Sequence, residues 1–146
     1  MFSRSEFKHE EKLEIAAAIA RAEKGSSGEI RVHLSHGKRE VDLIHLATAK
    51  FKKLKMDKTK LRNGVLLYLN SSLKKFAVFG DEGIHARVQQ EFWDTLAKDI
   101  TQAIREKDPL AGIVLAVETI GTALKTHFPY ESDDLNELAN DVTESS

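Results

Sequence analysis

The chain has no cysteine among its 146 residues. That excludes disulfides, Cys-ligated zinc, iron–sulfur clusters and a cysteine nucleophile together, and it favours a reducing compartment. Proline is scarce, with only Pro109 and Pro129, so neither collagen-like nor proline-rich linker character is present. Long apolar runs are also missing. The longest stretch without a charge, Asn63 to Leu73, falls well short of the ~20 apolar residues a membrane span needs. At the N-terminus the apolar run Ile15–Ala20 is bracketed by Glu14 and Arg21 and is too short for a signal-peptide core. The expectation is a soluble, cytoplasmic protein without a membrane anchor.

Strong net charge is the last absence. The total of −1 hides an uneven distribution, because Glu131–Ser146 holds six acids and no Lys or Arg. The first 130 residues therefore carry all 22 basic residues against 17 acids, a mildly basic body with an acidic tail. A body this weakly basic is no nucleic-acid footprint, since such domains usually exceed pI ~9. A core is affordable at this length without staples, because a chain of about 150 residues buries roughly 68–70% of its unfolded surface.

What is present is periodicity. Ser3 and Ser5 precede a helical stripe of Ile15, Ala18, Ile19 and Ala22, with Glu6 placed as in a capping box and Gly25 as the stop. Glu29–Ser35 alternates: Ile30, Val32 and Leu34 face one way, and Arg31, His33 and Ser35 the other, as in a strand with one apolar face. A second helix is expected from Asp42 to Leu54. Val65–Leu69 is apolar throughout, a strand covered on both sides. Asn70-Ser71-Ser72 then turns the chain into a third strand, Phe76–Phe79. Helices follow over about Val88–Ile104 and from Pro109 to Phe128. The tail beyond is too poor in apolar residues to hold its end in place.

The order α-β-α-β-β-α-α predicts a three-layer α/β/α sandwich around a small mixed sheet, with the first two strands parallel through a right-handed crossover and the third antiparallel. This topology brings three segments to one rim: Gly28-Glu29, Leu61–Gly64 and Gly80–Gly83. It gathers Glu29, Asn63, Asp81 and Glu82 there, together with Arg62. Carboxylate and carbonyl oxygens on glycine-rich turns suit hard cations such as calcium or magnesium. On spacing alone the same residues are better explained as turns, with their acids solvated or capping the next helix. Elsewhere, His33 and His36 read as surface histidines, Phe92-Trp93 as core, and the basic run Lys52–Arg62 as a solvated helix end; no P-loop or nucleophile elbow occurs.

Ser27-Gly28-Glu29-Ile30-Arg31-Val32-His33, Leu61-Arg62-Asn63-Gly64-Val65-Leu66 and Phe76–Ile84 resemble the TPM domain. Phe92-Trp93, His127–Tyr130 and Asn136-Glu137-Leu138 extend the likeness over nearly the whole chain, most closely to the short stand-alone bacterial members. The resemblance implies a TPM domain over residues 1–130 and an acidic tail over 131–146. It also implies divalent-cation binding, often calcium, with Glu29, Asn63, Asp81 and Glu82 as the metal residues, and an acid phosphatase-like activity proposed for the family. Many relatives carry an acid where this chain has Arg62, and a leucine where it has Asp81. Arg62 opposes a cation and can grip a phosphate. The alternative is a non-catalytic, cation-responsive protein-interaction module. No catalytic residue stands out. The partner is a phosphate ester or a protein, and the chain is read as a monomer.

Overall fold

In the computed structural model, residues 7–129 and 142–145 are described. Four helices and a four-stranded mixed sheet follow in the order α1 (His9–Glu23), β1 (Glu29–Ser35), α2 (Leu43–Lys53), a single 3-10 turn (Met56–Lys58), β2 (Gly64–Asn70), β3 (Lys75–Gly80), α3 (Glu82–Glu106), α4 (Pro109–His127) and β4 (Val142–Ser145). The strands lie in the order β3-β2-β1-β4. β1 is parallel to β2 and β4, and β3 is antiparallel to β2.

Helices cover both faces, as expected from β2. Its Val65, Leu67 and Leu69 join Ile30, Val32 and Leu34 against α1, α3 and α4. Its Leu66 and Tyr68 meet α2 and the 3-10 turn through Leu43, Ala47, Phe51 and Met56. A strand in the middle of a sandwich has no wet side, so it cannot alternate. α4 is long and apolar enough to cross a membrane by length and composition alone. Its Ile113, Ala116, Val117, Ile120 and Leu124 are buried in the main core, between α1 and α3, so it serves as a central core helix.

Three sequence expectations change. β1 is buried on both faces rather than one, because β4 takes its outer edge and the Tyr68 ring lies 5.1 Å from that of His33. The end of the tail is not loose: Val142–Ser145 aligns with Val32–Ser35. Val142 packs against the main core, but one apolar residue in four makes no pattern, and the rest of the strand is held by backbone pairing and polar side chains, so hydrophobic periodicity could not reveal it. α3 starts six residues earlier than the apolar stripe suggests, because Asp81 caps it by accepting from the Glu82 backbone N–H at 2.8 Å. The expected Ser3–Glu6 cap and the segment 130–141 lie outside the described residues.

Candidate functional site: the rim where β1 and β2 begin and β3 ends

The strand register assembles the rim. Glu29 stands opposite Gly64, and Val65 opposite Gly80. The Asp81 N–H donates to the Gly64 carbonyl at 2.9 Å, and the Gly83 N–H to the Arg62 carbonyl at 2.8 Å. Glycine is required at 83: a Cβ there would lie 2.1 Å from the Leu61 carbonyl oxygen and 2.6 Å from that of Arg62. Arg62 itself sits in the left-handed region, at φ 53°.

The acids divide into two groups. Asp81 is buried, yet the guanidinium of Arg62 reaches it through both edges of a fork, Nε to Oδ2 at 2.6 Å and Nη2 to Oδ1 at 2.9 Å. The exposed Glu82 lies 3.3 Å from Nη1 of the same arginine. The hydrogen bond from Arg62 to Asp81 holds the guanidinium above its already high ordinary pKa. Glu29, also buried, faces the other way, toward Glu23 at the end of α1. Burial is the largest influence on Glu23 and, with Glu29 beside it, pushes its carboxyl up to about 8 despite a 2.6 Å hydrogen bond from the Ile30 N–H. Asn63 is buried, its Nδ2 donating to Ser27 Oγ at 3.3 Å.

All five rim residues thus converge as the topology requires, but not into one donor shell. Among the described residues no cluster of three or more His, Asp or Glu could hold a metal ion. The oxygens are of the hard type that suits calcium. Both Asp81 oxygens are already engaged by a cationic side chain, so any cation at Asp81 would have to displace Arg62.

Sequence reasoning did not single out Glu23. A signal existed: it lies four residues after Ile19 and eight after Ile15, on the apolar stripe of α1. His33 is not the surface histidine expected. It is buried, with Nδ1 2.7 Å from Thr143 Oγ1 and Nε2 2.8 Å from Ser145 Oγ, and burial lowers its pKa to about 4. His36 bridges Ser71 Oγ and the Glu144 carboxylate. Both histidines therefore fasten β4 at the end of the sheet remote from the rim.

Comparison with known proteins adds the following. Residues 4–123 match the TPM domain. No curated protein matches the chain. Among solved structures, the chain is similar to the NMR structure of BA42 protein from the psychrophilic bacterium Bizionia argentinensis, at 41% identity and TM-score 0.88, covering 99% of this chain and 100% of that one. It is also similar to the N-terminal domain of the cg2496 protein from Corynebacterium glutamicum, at 13% identity and TM-score 0.63, covering 96% and 82% of the two chains. At that identity the second likeness concerns the fold alone.

Proposed function

The chain belongs to the TPM domain family, and on that premise we propose that it is a cation-responsive binding domain in which a divalent ion competes with Arg62 for Asp81 and Glu82. The observation that carries this reading is the forked Arg62–Asp81 pair. A buried carboxylate at the rim needs a positive partner, because isolated burial of its charge is costly. Arg62 supplies that partner internally, and calcium or magnesium is the external alternative.

Affinity in this reading is weak. The guanidinium must leave, and the N-terminal end of α3, which Asp81 caps, is itself the positive end of a helix dipole. Dissociation constants of about 10⁻⁴–10⁻³ M, the range of poorly caged calcium sites, are expected. The test is an amide chemical-shift titration with calcium. Shifts should appear together at Asn63, Asp81 and Glu82 and at the side-chain Nε–H of Arg62, with Glu29 following through its contact with Asn63. A rim that stays silent at millimolar calcium overturns the proposal.

Binding without turnover is better supported than metal-dependent phosphatase activity. The two serines at the rim engage Gly28 N–H and Asn63 Nδ2, not a general base. The phosphatase reading keeps one supporting feature, the half-exposed Arg62 guanidinium, which can receive a phosphate oxygen. It requires aryl phosphate hydrolysis that depends on added metal and collapses in both Asp81→Ala and Glu82→Ala. Hydrolysis that survives both changes comes from another protein.

A further inference from the structure

One face of the sandwich carries a charge that the rest of the molecule opposes. Between Gly37 and Leu61 there are eight Lys or Arg residues and three acids, in a chain whose total is −1. This segment forms the layer of α2 and the 3-10 turn on β2 and β3. Lys38, Arg39, Lys52, Lys53, Lys55, Lys58 and Lys60 are all exposed. The acids do little to offset them. Glu40 is turned inward, accepting from Tyr68 Oη, Asn70 Nδ2 and Ser35 Oγ. Asp42 caps α2 by accepting from the His45 N–H, and Asp57 is half-buried with its Oδ1 fully enclosed.

The dipole of α2 accounts for part of this. Lysines in a last helical turn face a negative helix end, as Lys50, Lys52 and Lys53 do. It does not account for Lys38 and Arg39 at the opposite end, nor for Lys58 and Lys60 beyond the helix. Exposed aliphatic residues accompany the charge at both ends: Val41 at 88% and Ile44 at 50% exposure near Lys38 and Arg39, and Leu61 at 46% beside Lys60. No Phe, Tyr or Trp is exposed between Gly37 and Arg62 and His45 is the single exposed ring there, so the face offers no run of rings on which successive bases could stack.

We propose that this face docks peripherally on an anionic lipid bilayer, with α2 lying along the surface, its flanking lysines against the headgroups, and Val41 and Ile44 entering the acyl boundary. Basic clusters of four to eight residues on an amphipathic helix are drawn to anionic leaflets, and small apolar residues beside them add insertion. The arrangement is independent of the rim and of whether a cation binds there.

Sedimentation with phosphatidylcholine vesicles, with and without phosphatidylglycerol, tests this. The wild-type chain should bind only the phosphatidylglycerol vesicles, and binding should fall steeply as salt shortens the Debye length from about 10 Å at 0.1 M toward 3 Å at 1 M. Lys52→Glu/Lys53→Glu/Lys58→Glu should weaken binding at least about a hundredfold, since each basic residue near such a surface is worth roughly fivefold and reversal removes more than neutralisation. Val41→Ser/Ile44→Ser should weaken it severalfold with the salt dependence unchanged. All five positions are solvent-facing, and unchanged thermal melting confirms that the variants fold. Three results overturn the proposal: no binding to phosphatidylglycerol vesicles at low salt, undiminished binding by the charge-reversed variant, or tighter binding to a DNA duplex than to vesicles.

Discussion

The Trp93 indole N–H donates to His85 Nδ1 at 2.9 Å, although the two residues are eight apart in α3. In a straight helix that separation is about 12 Å along the axis. The contact exists because Gln89 interrupts the helix with φ 64° and ψ 178°. That region is essentially reserved for glycine and costs a larger residue on the order of 1–3 kcal/mol. The apolar stripe that begins near Val88 marks only the second of the two segments. The first is organised by the rim, through the Asp81 cap and the Gly83 contact.

Gln89→Gly should therefore stabilise the protein, by about 1 kcal/mol. Gln89 is exposed and glycine adopts its backbone conformation without strain. Thermal or urea unfolding measures this, and a clear loss of stability means that the break in α3 carries no strain at position 89.

Gly83→Ala should do the opposite. The new methyl group would overlap the Leu61 and Arg62 carbonyl oxygens, both of them backbone atoms that cannot swing aside. A loss of about 3 kcal/mol is expected, with the rim's amide shifts most displaced. A neutral substitution would show that the two loops are farther apart than described.

Arg62→Asp should tighten calcium binding about tenfold, a change of roughly 1.4 kcal/mol in affinity. Aspartate tolerates the left-handed backbone at this position better than most residues. It replaces the competing cation with a further oxygen donor. Calorimetry on both proteins decides the point, and unchanged or weaker calcium binding by a folded variant removes Arg62 from the competition.

Stability should depend on pH through two groups of opposite sign. Glu23 has a folded pKa of about 8 against an ordinary 4.5, so between these values the native state keeps a proton that the unfolded chain has lost. Its contribution is complete below pH 4.5 and is lost as pH rises toward 8. His33 has a folded pKa of about 4 against 6.5, so the unfolded chain holds the extra proton. Its contribution is complete above pH 6.5 and is lost as pH falls toward 4. The slopes oppose between pH 4.5 and 6.5, and only the Glu23 decline remains from 6.5 to 8. Glu23→Gln keeps an acceptor for the Ile30 N–H and should flatten that decline, gaining on the order of 2 kcal/mol at pH 8. Urea unfolding across this range is the measurement. A decline unchanged in Glu23→Gln assigns it to another group.

Much of this molecule was determined by the sequence alone. Alternation and apolar runs place β1, β2 and β3, and the helical stripes place α1, α2 and α4, because burial of one face imposes a period that local sequence must carry. Parallel β1 and β2 with a returning β3 then oblige Glu29, Arg62, Asn63, Asp81 and Glu82 to share a rim. Tertiary structure alone decided how they pair. Whether Asp81 meets a cation or Arg62, and whether Glu29 turns to Asp81 or to Glu23, depends on side-chain directions set by φ at Arg62 and by the end of α1. Nothing in the spacing encodes those directions. β4 and the burial of His33 were equally invisible, because a polar strand is held by backbone pairing and by partners more than a hundred residues away, which no local period records.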